Sequence, residues 1–213
     1  ETIDYCNKIF PVSAKPQHIS EQKPIVVEGV HRFRKYVSSQ NNGAIIHVGG
    51  FSSPSSDTEK TGAFNLLGQV LGGDINSRLF DELREKRGLA YSVAFATNAI
   101  QNLGFYAAYA ITDKKNAKQS VSLIIKCFND IINKGITDEE LTIAKNSIKG
   151  QRLRAEESVS AQAASIATLN CLGYDYSFYL ERDQRLQKLA ANNVRNVAAE
   201  YLCYKDLYIH LLV

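Results

Sequence analysis

The stretch Leu71–Val93, LGGDINSRLFDELREKRGLAYSV, joins a pair of glycines, an amphipathic helical segment and the opening of a strand. Gly72 and Gly73 permit tight backbone at its start. Ile75, Leu79 and Leu83 recur every four residues, which predicts an apolar stripe on one helix face, with Arg78, Asp81, Glu82 and Glu85 on the other. Gly88 fits a helix C-cap, and Lys86 and Arg87 place positive charge in the last turn, where it complements the helix dipole. Beyond the cap, Tyr91, Val93, Phe95 and Thr97 alternate with Ala90, Ser92, Ala94 and Ala96, predicting a strand with one bulky and one small face. Arg84 lies one turn before the helix end and Tyr91 opens the strand. A reversal at Gly88 therefore brings a guanidinium and a phenol, two hydrogen-bond donors, toward one spot. A plain structural account also exists: Arg84 pairs with Asp81 along the helix, and Tyr91 supplies core area and one hydrogen bond.

Working outward, strands are predicted near Ile25–Tyr36 and Ala44–Phe51, with a helix between them and the quoted stretch at Thr58–Leu71. A second strand of the quoted unit follows at Gly104–Thr112, after a turn at Asn102–Gly104. The remainder is mostly helical. Val121, Ile124, Ile125, Phe128, Ile131 and Ile132 form a helical pattern ended by Gly135, and Thr137 with Glu140 forms a capping box for the next helix, where Leu141, Ala144 and Ile148 face one way. Helices near Glu157–Leu172, Tyr176–Leu189 and Asn193–Tyr201 precede a closing strand at Leu207–Val213. Strands first, helices next and a strand last predict an α+β, two-layer sandwich, a mostly antiparallel sheet covered by helices on one side.

At 213 residues with 45% hydrophobic content the chain can bury a substantial core, and no linker divides its middle. A net charge of +3, with both signs interspersed, describes an ordinary surface, and neither a basic stripe nor glycine-aromatic motifs point to nucleic acid. His31, Arg32, Arg34 and Lys35 read as a solvated strand face. No apolar run approaches the roughly 20 residues of a bilayer span. Cys6, Cys127, Cys171 and Cys203 are widely spaced, without paired metal-ligand or redox spacing, and read as thiols rather than disulfides. Cys127, beside Ile124, Phe128 and Ile131, reads as a small hydrophobe. The chain contains no Met, even at its first position, which is the expectation for a processed or partial chain. Ile3, Cys6, Ile9 and Phe10 look like the end of an apolar helix face, and Pro11, Pro16 and Pro24 mark an extended connector.

The run SRLFDELREKRGLAYSV at Ser77–Val93 resembles the carboxy-terminal domain of the pitrilysin and mitochondrial processing peptidase family of zinc metallopeptidases, in its bacterial branch. The likeness continues through GITDEELTIAKNSIKG at Gly135–Gly150 and the segment from Asn192 to Val213. The resemblance implies a division at residue 24: residues 1–24 are the end of an upstream domain's helix with the interdomain connector, and residues 25–213 the carboxy-terminal peptidase-family domain. In that family an Arg and a Tyr seven residues apart reach across to a metal site on a partner domain; Arg84 and Tyr91 match that spacing. By resemblance, Tyr91 donates to the scissile carbonyl or its developing oxyanion, Arg84 orients the tyrosine or the substrate backbone, and Gly72 and Gly73 border the substrate chamber.

Active members of the family bind zinc through an inverted His-x-x-Glu-His motif, in which two His one helical turn apart bind the metal and the Glu is general base. This sequence has no such motif. His18, His31, His47 and His210 are isolated from one another in sequence, and no metal site is assigned to this chain. The resemblance thus implies the non-zinc-binding half of a zinc-dependent endopeptidase, inactive alone. Its zinc would sit on an upstream domain or separate subunit, and its substrates would be unfolded peptides. The rival reading is a noncatalytic scaffold or core-like subunit of the same family. Oligomeric state, and the choice between bacterial cytoplasm and periplasm, are left open by the residues.

Overall fold

The structure is a computed structural model that describes residues 2–9, 33–37, 42–100, 102–203, 205 and 207–213. Its central element is a five-stranded sheet in the order β1-β5-β2-β4-β3, made of β1 (Phe33–Tyr36), β2 (Gly43–Ser52), β3 (Ala90–Ile100), β4 (Leu103–Asp113) and β5 (Tyr208–Leu212). Every pairing is antiparallel except β1 with β5, which is parallel. The predicted α+β sandwich with a mostly antiparallel sheet is therefore the observed class. Of the strand predicted at 25–36, only Phe33–Tyr36 falls within the described residues. All four of its residues are exposed, which fits Arg34 and Lys35 as a solvated strand face.

The helices are α1 (Thr2–Ile9), α2 (Thr58–Gly72), α3 (Arg78–Phe80), α4 (Ala117–Lys134), α5 (Asp138–Ala155), α6 (Val159–Cys171), α7 (Tyr176–Leu180), α8 (Arg182–Lys188) and α9 (Ala191–Tyr201). Helices α2, α4 and α9 cover one face of the sheet. Into that layer point Ala44, Ile46 and Val48 of β2 and Tyr106, Ala108 and Ala110 of β4, all buried. Period-two alternation makes this face mainly apolar, with Thr112 a buried polar residue on it. An aromatic cluster fills the space between sheet and helices, with Phe95 stacked on Tyr106 at 5.5 Å and Phe128 edge-on to Phe95 at 6.0 Å. Cys127 is buried in the same layer beside Phe128, and burial pushes its thiol up to about 11.

The opposite face is open. Phe51, Phe105 and Leu212 are 37%, 46% and 45% exposed there, and His47 lies against Tyr109 with ring centroids 5.2 Å apart. The register pairs His47 with His210. Two histidines that look isolated in sequence are thus cross-strand neighbours, since strand pairing joins residues without regard to their separation along the chain.

Three predicted elements need correction. The turn predicted at Asn102–Gly104 is displaced, because Ile100 pairs with Leu103 and Gly104 already lies within β4. The helix predicted over Tyr176–Leu189 is two helices. It breaks at Glu181, which has φ −85° and ψ 1°. The helix of the quoted stretch begins only at Arg78, after Ser77, so Ile75 sits in the preceding turn and is 69% exposed while Leu79 and Leu83 are fully buried. Asp74 explains the late start: its carboxylate accepts from the Asn76 amide and its carbonyl from the Ser77 hydroxyl, a local turn that competes with helix.

The capping box at Thr137 forms as predicted, with Glu140 N–H donating to Thr137 Oγ1 at 3.1 Å and Thr137 N–H donating to the Glu140 carboxylate at 2.7 Å. Glu140 also receives Arg78 in a two-pronged ion pair at 2.6 and 2.8 Å, tying α5 to the start of α3. Burial opposes ionisation of Glu140, but hydrogen bonds from Arg78 and Thr137 outweigh it and hold the carboxyl below its ordinary value. A depressed carboxylate contributes stability above its unfolded pKa that disappears as pH falls through the folded value. Stability of the native chain should therefore drop on acidification below pH 4.5, and Glu140→Gln should remove part of that drop. Urea unfolding at pH 7 and pH 3.5 checks this; an equal pH dependence in the variant would contradict it.

Candidate functional site

The corner between α3 and β3 is built from two one-residue irregularities. After α3, Asp81–Glu85 form a π-helical turn in which Lys86 N–H donates to Asp81 O at 2.9 Å. Gly88, at φ +60°, ends it: its N–H donates to Arg84 O, and Leu89 N–H donates to Leu83 O. Only glycine takes that backbone freely, so this is the predicted cap. On the strand side the register slips between Ala90, opposite Thr112, and Ser92, opposite Ile111. Tyr91 is the extra residue of a β-bulge. The alternation in the sequence places Tyr91 on the same face as Val93 and Phe95; the bulge removes it from that face and leaves it 66% exposed. Bulges of this kind re-aim a side chain beside a site.

Arg84 and Tyr91 do meet, but through the backbone. Arg84 Nη1 donates to the Tyr91 carbonyl at 3.2 Å, and its guanidinium lies over the Phe80 ring, 5.0 Å from the centroid. Arg84 is not the partner of Asp81, whose carboxylate pairs with Lys86 at 2.6 Å. The Tyr91 phenol donates to Asp113 Oδ1 at 3.1 Å. That hydrogen bond, reinforced by the carboxylate's charge, raises the phenol's pKa, so it stays a protonated donor through neutral pH. Asp113 ends the odd-numbered row of β4 that includes Phe105 and Tyr109, so the phenol reaches a residue in the row of the open sheet face. Phe80 and Asp113 carried no signal in the sequence; one contributes through a stacking contact and the other through a strand end brought close by pairing.

Gly72 and Gly73 lie elsewhere. With Gln69, Phe95, Thr97 and Gln151 they border a cleft of about 390 Å3 that includes neither Arg84 nor Tyr91. Gly73 has φ −79°, so neither glycine is needed for an unusual turn conformation. What they provide is space: a Cβ on Gly72 would stand 2.4 Å from Phe95 N, where α2 packs against β3.

Among the described residues no group of three or more His, Cys, Asp or Glu is placed to hold a metal ion. His47 and His210 are a pair only, and burial and the neighbouring His210 lower the pKa of His47. The described residues do not fit a zinc centre; His18 and His31 lie outside them.

Residues 4–148 match the family described as the peptidase M16 inactive domain. The chain belongs to that family. It is an inactive peptidase domain, the non-catalytic half of zinc protease-like proteins. Among curated relatives, the non-peptidase homolog YmxG of Helicobacter pylori is 29% identical over 138 residues, covering 65% of this chain and 32% of the relative. An uncharacterized zinc protease of Streptomyces coelicolor is 30% identical over 148 residues, covering 68% of this chain and 31% of the relative. The chain thus spans about a third of these relatives' length. The crystal structure of an M16 inactive domain from Pseudomonas fluorescens matches with a TM-score of 0.77 at 20% identity, over 84% of this chain and 43% of that one. The family is the one the sequence resembles, and the sheet covered on one side is the architecture that the order of predicted elements implied. Among the described residues no helix is long and apolar enough to cross a membrane.

Proposed function

We propose that this M16 inactive domain closes the chamber of a zinc-dependent endopeptidase and lends Arg84 and Tyr91 to a His-x-x-Glu-His site on a zinc-bearing partner half. The observation that carries the reading is the bulge at Tyr91, which spends a strand irregularity to hold a protonated phenol outside the core beside a restrained guanidinium. Residues 1–24 are read as the end of the upstream domain and its connector, and residues 25–213 as the contributed domain.

In this reading the open sheet face, with Phe51, Phe105, His47 and Tyr109 exposed or half-buried, lines the chamber. Exposed apolar patches of this kind mark interaction surfaces. An unfolded peptide enters the chamber, and the Tyr91 hydroxyl leaves Asp113 to donate to the substrate's carbonyl oxygen. Arg84, anchored to the Tyr91 backbone and braced on Phe80, fixes the direction of approach. As the carbonyl becomes an oxyanion, the donated hydrogen bond strengthens, which is the condition for rate acceleration. The zinc ligands and the general base belong to the partner half, and the cleft beside Gly72 and Gly73 lies at the chamber margin, with Gly72 acting through the packing of α2 on β3.

The test combines this chain with its zinc-bearing half and a flexible fluorogenic peptide. The chain alone should neither cleave the peptide nor bind tight stoichiometric zinc, and the combination should cleave it. A combination that binds zinc yet cleaves nothing would favour the scaffold reading, in which the same domain only supports an assembly.

A further inference from the structure

Away from the corner, a cleft of about 570 Å3 opens between the first turns of α2 and the helices α5, α6 and α8. Its volume suits a small organic ligand. Ile148, Leu169, Leu172, Leu186 and Leu189 supply an apolar wall. Arg152, Arg182, Arg185 and Lys188 stand beside them, whereas Glu59 is the one carboxylate on the lining among the described residues and already accepts from Asn193 at 2.8 Å.

The break at Glu181 creates this arrangement. Helix α8 begins there, and Arg182, Arg185, Leu186 and Leu189 follow at the spacing of a single helix face. That face mixes cations with leucines and turns toward the cleft. Arg182 is held from outside it, stacked 3.7 Å over Tyr179 and donating to Glu156 at 2.5 Å, while Arg185 stacks 3.5 Å over Phe178, itself on the lining, and pairs with Glu181 at 3.7 Å outside it. Arg152 donates to Asp183 at 2.6 Å. Glu156 and Asp183 are not on the lining.

Two groups on the wall residues remain unmatched. Arg182 Nε and Ser55 Oγ are buried and have no hydrogen-bond partner. Buried donors without acceptors are uncommon, because they forfeit solvation without recompense.

We infer that this cleft binds a small amphiphilic carboxylate, its apolar chain against the leucines and its carboxylate at Arg182, Arg185 and Lys188. Arg forks match carboxylates in two-pronged geometry, and Lys188 adds a point charge at the rim. The chemistry is shared by a fatty acid and by the free carboxy terminus of an apolar peptide. The inference is independent of the role of Arg84 and Tyr91.

The experiment is calorimetric titration of the 213-residue chain with decanoate, decanol and decylamine, alongside acetyl-trileucine in its free-acid and amidated forms. Saturable one-to-one binding of a carboxylate is expected, with its neutral counterpart weaker by about tenfold or more and decylamine weaker still. Tighter binding of decanoate than of the free-acid peptide assigns the site to fatty acids; the reverse assigns it to peptide ends. Arg185→Gln with Lys188→Gln should remove the preference for the acid while leaving decanol unaffected. If that double variant unfolds at a lower temperature than the native chain, Lys188→Gln alone, at an exposed position, should narrow the preference. Equal affinity for acid and alcohol, absence of saturable binding, or an undiminished preference in a folded variant would overturn the inference.

Discussion

Tyr91→Phe, in the complete assembly with the zinc-bearing half, should lower peptide turnover by about a hundred- to a thousandfold while the domain unfolds at an unchanged temperature. The magnitude is that of losing one oxyanion donor. The separation between activity and stability follows from position. Tyr91 is 66% exposed at a bulge, and its hydroxyl makes its hydrogen bond to Asp113 on the protein surface, so removing one oxygen disturbs no packing. Surface changes of that kind stay within about 0.5 kcal/mol. The loss should fall on kcat more than on KM, because the hydrogen bond gains strength as the oxyanion forms. The phenol's pKa, raised by the hydrogen bond to Asp113, adds a pH signature: its ionisation should not limit activity at neutral or mildly alkaline pH. Unchanged kcat in the variant would return Tyr91 to an ordinary strand residue and leave Arg84 as its backbone anchor.

Gly72→Ala should destabilise the chain by about 3 kcal/mol. The new methyl would stand 2.4 Å from Phe95 N and 2.8 Å from the Ala94 carbonyl carbon, and both belong to the backbone of β3, which is pinned to β4 along its length. A side chain could rotate away; a paired strand cannot. Gly73→Ala is the control. Its Cβ would come nearest the Gln69 side chain, whose amide could shift at the expense of its hydrogen bonds to Asp74 and Ser147, so the loss should be smaller. Urea unfolding midpoints for the two variants make the comparison. If Gly72→Ala were as stable as the native chain and impaired only peptide affinity in the assembly, its place would be at the substrate rather than in helix-strand packing.

What the sequence disclosed, and what it hid, divides along a physical line. Local rules were sufficient where one residue type serves one geometric need: Gly88 and Gly135 at positive φ, the Thr137 capping box, and the long apolar stripe of α4. They failed where a tertiary partner decided the outcome. Nothing in AYSV announces that Ala90 rather than Tyr91 turns inward, because the bulge is defined by how β3 registers on β4. The same holds for Asp113, a residue 22 positions from Tyr91 that becomes its hydrogen-bond acceptor, and for His47 and His210, separated by most of the chain and adjacent in the sheet. Gly72 and Gly73 were visible as glycines, but periodicity could not distinguish a turn from a close approach. The continuous periodicity over residues 176–189 concealed the break at Glu181, where the α8 face begins.

The π turn at Asp81–Glu85 and the bulge at Tyr91 lie on either side of Gly88, and each inserts one residue into an otherwise regular element. Removing a residue from the first would rotate everything before it by about 100° relative to the corner; removing one from the second would exchange the two faces of the strand. The seven-residue interval between Arg84 and Tyr91 is therefore a count that no loop can absorb. Side chains at Glu85, Lys86 and Arg87 can vary with little consequence, but the segment's length cannot. A library of variants through this corner should tolerate many substitutions and almost no single-residue deletions, the reverse of the behaviour of a surface loop.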